Sequence, residues 1–251
     1  MSFIATQAPV QTSGQRASLF SSCMAATSEL LWPTRCIGCN AQGELLCAHC
    51  RETLAWINQR WACLDCGAPF GWLTCSSCNH NWEALDGVVC ATSFVGTCAH
   101  MVTALKDEHE TRLAAVMAAA MATALDEAQG WKHINLAALD ALMFVPATHA
   151  AFVRRGFDHM ELVARALSSF IDIPLVDVLV RHEADDQRRL NKTQRAANLA
   201  GTIELIGDVR AANVLLVDDV VTTGSSMCAC AQALKSAGIN QVIGCGFSRV
   251  W

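Results

Sequence analysis

Two adjacent acids follow an apolar run near the end of the chain. Val214 to Val217 has the composition of a buried strand, and Asp218 and Asp219 come directly after it. In open parallel sheets, ligands bind at the carboxyl ends of the strands, which is the position predicted for this doublet. Carboxylates accept hydrogen bonds, so the pair suits a ligand that carries neighbouring hydroxyl groups.

The residues after the doublet have the features of a phosphate-binding loop. Four of the five positions after Val221 carry a hydroxyl, and Gly224 lets the backbone come close to a ligand. A helix predicted from Ser225 to Ala237 would add its first amides and the positive end of its dipole. The carboxylates would repel a phosphate placed against them, whereas a ribose between the two groups satisfies both. In the alternative reading, a hydroxyl merely caps the helix and the acids lie in a turn. The predicted ribose 5-phosphate site consists of Asp218, Asp219, Val220, Thr222, Thr223, Gly224, Ser225 and Ser226.

A second chemistry-bearing pattern is a Cys-x-x-Cys pair that occurs four times. A two-residue gap lets both thiolates reach one tetrahedral ion, and four thiolates close a structural zinc site. Sequential pairing of the motifs is favoured, and a ribbon that joins the first and third pairs is the alternative. Iron–sulfur ligation, redox dithiols and disulfides are the competing chemistries. The predicted ligands of two zinc ions are Cys36, Cys39, Cys47, Cys50, Cys63, Cys66, Cys75 and Cys78.

The overall composition restricts the class of protein. A formal net charge of −5 and a pI near 5.9 argue against a strongly basic nucleic-acid-binding protein, so single-stranded DNA is a secondary partner hypothesis. There is no secretory signal at the start, and the longest apolar stretch, Leu113 to Leu125, is shorter than the roughly 20 residues that span a bilayer. We therefore expect a cytoplasmic protein without membrane insertion, whose paired cysteines bind metal.

The order of the remaining elements predicts an α/β fold, with a mainly parallel sheet flanked by helices. Strands are expected at 85–95, 141–145 and 241–247, and helices at 98–128 and 159–170. The predicted domains are a disordered tail at 1–17, a helix plus double zinc ribbon at 18–83, and the ligand-binding domain at 84–251. Four tryptophans are expected to cover the zinc module or its seam with the next domain, with base stacking as the alternative: Trp56, Trp61, Trp72 and Trp82.

Several motifs together resemble a known family. Val214 to Ser226 resembles the phosphoribosyl pyrophosphate signature of type I phosphoribosyltransferases. From about Leu30 onward the chain resembles the ComF family, which joins a double zinc ribbon to such a domain. Two segments depart from the family pattern. Lys106 to His109 replaces the family's common Lys-Tyr-x-Gly, and the family's usual paired Val-Pro is reduced to Val145-Pro146. Further matching segments are Leu30 to Cys39, Gly96 to Lys106, Pro146, Arg155 to Asp158, Gln187, Leu190, Arg195, Asn198 and Gly201.

The resemblance implies a role for each part of the site. The acid doublet would bind the ribose hydroxyls, and Thr222 to Ser226 the 5′ phosphate. The loop Ala147 to Gly156 would bind pyrophosphate, with Arg154 or Arg155 supplying positive charge. Magnesium would accompany the ligand. The polar segment Arg181 to Arg195 would form a mobile flap over the site, with its cations at Arg188, Arg189, Lys192 and Arg195.

Three functions follow from these expectations. The first is transfer of phosphoribosyl to an unidentified acceptor with magnesium. The second is a non-catalytic accessory role in the uptake of single-stranded DNA during natural competence, and the third is a phosphoribosyl pyrophosphate sensor. The sequence does not specify the acceptor or the oligomeric state.

Overall fold

The computed structural model describes residues 33–71, 75, 78, 82–182 and 202–251. The predicted tail at 1–17 and the helix predicted between this tail and the zinc ribbon lie outside these residues. Backbone contacts divide the chain into two compact units, Met1–Cys47 and Ala48–Trp251.

A parallel sheet forms the centre of the second unit, in the strand order β1-β6-β5-β2. β5 therefore lies in the interior of the sheet, between β6 and β2. The other two strands, β3 and β4, form a separate antiparallel pair. The strands are β1 (Gly87–Ser93), β2 (Ala141–Phe144), β3 (Leu179–Arg181), β4 (Ile203–Leu205), β5 (Asn213–Val221) and β6 (Gln241–Arg249). This sheet confirms the predicted mainly parallel α/β fold.

Six α-helices are described, and a 3-10 helix spans Leu136–Ala138. Of the helices, α3 packs on β1 and β6, α5 on β2 and β5, and α6 on β5 and β6. Both faces of a parallel sheet are usually covered in this way, which explains its continuous apolar strands. The helices are α1 (Ala48–Glu52), α2 (Gly96–Asp107), α3 (Leu113–Gly130), α4 (His149–Arg155), α5 (His159–Ile171) and α6 (Ser225–Ser236).

The predicted single helix from 98 to 128 is wrong, because residues 108–112 separate α2 from α3. This stretch is polar and charged, so it has no apolar face that could hold a continuous helix on the sheet. His109 has a φ of 59°, and its ring packs edge-on against Phe157 at a centroid distance of 5.6 Å. The break thus turns the chain towards the connection between α4 and α5.

The segment predicted as a pyrophosphate loop contains the short helix α4. Thr148 caps its start by accepting a hydrogen bond from the Ala151 amide at 3.2 Å. Gly156 ends it with a φ of 80°, a left-handed conformation that glycine adopts without steric cost. The segment that the family resemblance describes as a loop is therefore helical here, because local residues cap both of its ends.

The apolar run of β5 lies at the centre of the core. Val214 and Leu216 are fully buried and belong to one cluster with Met227 and Cys230 of α6. Successive side chains of a strand alternate between its two faces, so Leu215 and Val217 point to the opposite side. Among the described residues, no helix is both long enough and apolar enough to span a membrane.

Gly246 of β6 is a position where the packing of the sheet leaves no room for a side chain. A Cβ added there would lie 2.5 Å from Cγ2 of Val221, the last residue of β5. We expect Gly246→Ala to lower the free energy of unfolding by about 1–3 kcal/mol, because the β-branched valine cannot easily move aside. The measurement is urea unfolding followed by circular dichroism.

The control for this substitution is Gly130→Ala at the end of α3, where an added Cβ meets nothing within 4 Å. Alanine favours helix over glycine by up to about 1 kcal/mol, so this variant should be as stable as the wild type or more stable. Equal stability of the Gly246 and Gly130 variants would contradict the proposed steric conflict.

Candidate functional site

β5 carries the acid doublet to the carboxyl edge of the sheet, where the two acids have different surroundings. Asp219 is buried and only 4% exposed, whereas Asp218 is half-buried. Each side chain accepts a hydrogen bond from the next backbone amide: Asp218 Oδ1 from Asp219 at 2.9 Å, and Asp219 Oδ1 from Val220 at 2.6 Å. Because neighbouring strand residues point to opposite faces, the two carboxylates face different parts of the protein.

Two side chains from different helices contact Asp219. Its Oδ2 forms an ion pair with Nζ of Lys106, in the last turn of α2. The same oxygen lies 2.9 Å from Nε2 of His159, the first residue of α5. Burial by itself would raise the pKa of Asp219, but the hydrogen bond from His159 and the charge of Lys106 hold it well below its usual range. Asp219 is therefore ionised at neutral pH.

The pKa of Asp218 is shifted in the opposite direction. Burial, and next the charge of Asp219, raise the pKa of Asp218 well above its usual value. The ionised form of Asp218 therefore lacks sufficient stabilisation from its surroundings. Hydroxyl donors or a cation placed beside this carboxylate would supply it.

A chain of polar contacts extends from the doublet to α4. Nη1 of Arg155 lies 3.1 Å from Nδ1 of His159. A guanidinium can only donate, so Nδ1 accepts, and Nε2 of His159 carries the hydrogen donated to Asp219. Within the described chain, the buried Nε of Arg155 has no hydrogen-bond partner, and its nearest carboxylate oxygen is Oδ1 of Asp107 at 4.0 Å. The side chain of Arg155 therefore retains an unused donor.

The predicted pyrophosphate-side residues are not equivalent. Arg155 is connected to the acid doublet through His159, whereas Arg154 is exposed and Gly156 serves as the helix end. His159 did not stand out in the sequence, because a single histidine at a helix start has no motif spacing. Lys106 was noted in the sequence, but only as the end of a segment that matches the family and as the start of one that departs from it.

The hydroxyl-rich loop connects β5 to α6. Gly224 precedes the helix with a φ of 72°, and its carbonyl accepts the first helical hydrogen bond, from Cys228 at 2.8 Å. Thr222 and Thr223 are exposed, and the hydroxyls of Thr223 and Ser225 lie 2.8 Å apart. The helical geometry leaves the first amides of α6 without acceptors inside the helix. Exposed hydroxyls and helix amides are thus together at the end of β5.

The described residues include only the start of the predicted flap. Nη1 of Arg181, the last residue of β3, lies 3.4 Å from Oγ of Ser226. The four predicted flap cations, Arg188, Arg189, Lys192 and Arg195, lie outside the described residues.

The eight paired cysteines form two clusters in sequential order. The sulfur atoms within each cluster all lie within 4.8 Å of one another. Sulfur–sulfur distances are 3.7 Å for Cys39 and Cys47 in the first cluster. In the second they are 3.9 Å for Cys63 and Cys78, and 3.5 Å for Cys66 and Cys75. A tetrahedral ion with Zn–S bonds of 2.3 Å requires about 3.8 Å between sulfurs, so both clusters fit zinc.

The two clusters repeat the same local geometry. The amide of Cys47 points at Sγ of Cys36 at 3.4 Å, and the amide of Cys75 at Sγ of Cys63 at 3.1 Å. Although burial opposes it, backbone amides lower the pKa of Cys36 to about 6, which favours the thiolate. Burial and neighbouring thiols raise the pKa of Cys78 to about 11. Four thiolates at this spacing repel one another, and a dication among them removes that repulsion.

Comparisons with known proteins agree with both parts of this arrangement. Residues 153–247 match the family model of the phosphoribosyl transferase domain, and residues 27–98 that of the double zinc ribbon domain. Competence protein F of Haemophilus influenzae is 24% identical over 226 residues, or 86% of this chain and 96% of that protein. The DNA utilization protein YhgH of Salmonella typhi is 26% identical, over 77% of this chain and 85% of that protein.

A shorter similarity involves an enzyme of ribose phosphates. A ribose-phosphate pyrophosphokinase of Helicobacter hepaticus is 40% identical over 70 residues, which is 26% of this chain and 23% of that protein. The two domain matches occur in the order predicted from the sequence, and the similarity to competence protein F covers most of both chains. The chain therefore combines a double zinc ribbon domain with a phosphoribosyl transferase domain, which is the combination implied by its resemblance to the ComF family.

Proposed function

We propose that the protein binds phosphoribosyl pyrophosphate at the carboxyl end of β5. The proposal rests on the arrangement at the end of an interior strand. The half-buried carboxylate of Asp218 is followed along the chain by Gly224, in a left-handed conformation, and then by the start of α6. The phosphoribosyl transferase domain match and the similarity to a ribose-phosphate pyrophosphokinase support the same ligand class.

The ribose is assigned to Asp218 in this proposal. Its raised pKa reflects burial and the nearby Asp219 charge, and both effects would be offset by hydroxyl donors from the sugar. Asp219 already accepts from Lys106 and His159, so its contribution is to keep these two side chains in place at the edge of the sheet. One acid thus binds the ligand, and the other organises the site.

The charged groups of the ligand are assigned to the two ends of the site. The 5′ phosphate would accept hydrogen bonds from the amides at the start of α6 and from the hydroxyls of Thr222 to Ser226. Pyrophosphate would lie near Arg155, whose Nε has no partner within the described chain, and near Lys106, which is 24% exposed. Both cations would lower the cost of bringing a polyanion next to carboxylates.

We infer in addition that the bound ligand undergoes phosphoribosyl transfer. The bond between C1′ and the pyrophosphate oxygen would break, and the pyrophosphate would leave with the electron pair. A nitrogen of the acceptor would form the new bond to C1′ and then lose its proton. Magnesium, when bound with pyrophosphate, supplies positive charge to the leaving group, and the Asp218 carboxylate has the oxygen ligands that this ion prefers. The protein's own groups position the sugar and stabilise charge, so no covalent nucleophile is needed.

Substitutions of the two acids should have different effects. Asp218→Asn should weaken binding of phosphoribosyl pyrophosphate at least about tenfold with little loss of stability, because it removes a ligand contact and no ion pair. Asp219→Asn should lower the free energy of unfolding by about 3 kcal/mol, since it leaves Lys106 without its partner, and should weaken binding as a consequence.

Isothermal titration calorimetry with magnesium and urea unfolding measure these two effects separately. Asp126→Asn, at an exposed position of α3, is the matched control and should change neither quantity. If the Asp218 variant bound the ligand with wild-type affinity, the assignment of the ribose would be wrong.

The two acids should also make opposite contributions to the pH dependence of stability. The pKa of Asp218 is higher in the folded protein than in the unfolded chain. The unfolded chain therefore loses this proton at a lower pH, and the folded state loses stability as the pH rises above about 4. The lowered pKa of Asp219 stabilises the fold above about pH 4, and that contribution is lost on acidification. The unfolding free energy of Asp218→Asn relative to wild type should therefore increase between about pH 4 and pH 7, and that of Asp219→Asn should decrease. Urea titrations at both pH values test the two signs, and a constant difference for either variant contradicts its assignment.

A second candidate function is a non-catalytic role in handling single-stranded DNA. The names of two relatives, a competence protein and a DNA utilization protein, favour it. If the protein is a transferase, labelled pyrophosphate should exchange into phosphoribosyl pyrophosphate in the presence of a suitable base from a panel, and Asp218→Asn should abolish the exchange. Ligand binding without exchange, together with salt-dependent binding of single-stranded DNA, would instead support the accessory role. Ligand binding with neither activity would support a sensor.

A further inference from the structure

Arg249, the last residue of β6, joins the second cysteine cluster to the loop after β5. It is 7% exposed, and its Nε donates to the carbonyl oxygen of Cys66 at 2.8 Å. Its Nη1 donates to the carbonyls of Val221 at 2.9 Å and Thr222 at 2.5 Å, and also to that of Val250. One buried guanidinium is thus shared between a residue of the cysteine cluster and the first residues of the loop.

These hydrogen bonds determine which way the peptide groups of the loop point. In a trans peptide, the carbonyl and the following N–H point in opposite directions. There are no cis peptides in the described chain, so carbonyls of Val221 and Thr222 that face Arg249 turn the amides of Thr222 and Thr223 to the other side. Arg249 therefore orients amide donors of the loop without itself being part of the loop.

Trp82 makes a second connection between the same two regions. It follows Cys78 by four positions, is 5% exposed, and lies beside Arg249, whose guanidinium carbon is 5.3 Å from the indole centroid. A Cβ built on Gly224 would lie only 2.0 Å from Cζ3 of Trp82. The indole therefore packs directly against the residue that begins α6, and only glycine fits between them.

The second cluster is itself held firmly on the sheet. The amide of Val88 in β1 donates to the carbonyl of Leu64 at 2.9 Å. A Cβ on Gly67 would lie 2.8 Å from Sγ of Cys90, also in β1, so the turn that carries Cys66 packs closely on the strand. The turn is therefore closely packed on β1, and Arg249 donates to its carbonyl at Cys66.

We propose that metal binding at Cys63, Cys66, Cys75 and Cys78 and ligand binding at the loop after β5 are thermodynamically linked, with Arg249 and Trp82 as the positioning residues. The inference rests on the proposed function, since the loop is taken as the phosphate site. Metal holds the turn around Cys66, the turn holds Arg249 and Trp82, and these fix the loop amides in the orientation that binds phosphate. By reciprocity, the sugar phosphate raises the affinity of this cluster for zinc by the same factor.

The first test compares loss of one ligand in each cluster of the full-length protein. Cys75→Ser should lower the zinc content from two ions to one per chain and weaken binding of phosphoribosyl pyrophosphate with magnesium by about tenfold or more. Cys39→Ser is the matched control at the first cluster, which takes no part in the proposed path; it should lose one zinc and keep wild-type ligand affinity. Mass spectrometry of bound metal and calorimetry give the two readouts. Equal ligand affinities of the two variants would overturn the inference.

The second test measures the reciprocal effect in the wild type, so it does not depend on a variant that folds. Competition with a zinc chelator should give two zinc affinities, and saturating phosphoribosyl pyrophosphate should raise one of them by about tenfold or more. Arg249→Lys and Trp82→Phe should reduce this rise while both zinc ions stay bound. The fluorescence change on ligand binding should be smaller in Trp82→Phe, because this variant lacks the indole that packs against Gly224.

The outcomes separate the inference from the proposed function. If the wild type binds no phosphoribosyl pyrophosphate, the proposed function fails and the linkage fails with it. If the wild type binds the ligand but neither zinc affinity changes, the linkage alone is wrong and the ligand site stands.

Discussion

A buried charge at the end of an interior strand must be neutralised, and the carboxyl edge of this sheet is organised around that requirement at Asp219. Its partners come from two helices, Lys106 from α2 and His159 from α5, and Arg155 extends the contacts to α4. A buried ion pair adds little net stability, but removal of one partner costs about 3–5 kcal/mol. The ends of these three helices are therefore held at the edge of the sheet by one carboxylate.

The same requirement makes two adjacent acids chemically different. Asp219 is surrounded by donors and remains charged, whereas the pKa of Asp218 is raised by burial and by the charge next to it. Lys106 and His159 contact Asp219 directly, whereas the charge of Lys106 only partly offsets the raised pKa of Asp218. In the proposed site, Asp218 is therefore the acid that a ligand would stabilise, and Asp219 is the acid that holds Lys106 and His159 at the edge of the sheet.

The elements that depend on local patterns were predictable, and the contacts that close the site were not. The apolar run of β5, the glycine at the start of α6 and the cysteine spacing each depend on neighbouring residues, so the sequence predicted the parallel sheet, the loop and the sequential clusters. The break between α2 and α3 at 108–112 was not predicted, because the alanine-rich composition on either side favours one long helix.

The missed contacts join residues that are distant in the chain. His159 is 60 positions from Asp219, and Arg249 is 183 positions from Cys66. Neither residue belongs to a motif with fixed spacing. Tertiary structure alone decides which of the chain's many charged residues become partners, and the same is true of Lys106.

Local charges at the ends of the strands, and not the net charge of this acidic protein, determine whether the proposed site suits a polyanion. The charge of Asp219 on β5 is paired with Lys106, while Arg249 on β6 donates to carbonyl oxygens and also stabilises the thiolate form of Cys66. Arg155 has a donor without a partner within the described chain. The net charge of −5 is a property of the whole chain, whereas a ligand at the loop experiences charges within about one Debye length, roughly 8–10 Å. At that range, the positive end of the dipole of α6 would favour a phosphate at the proposed site.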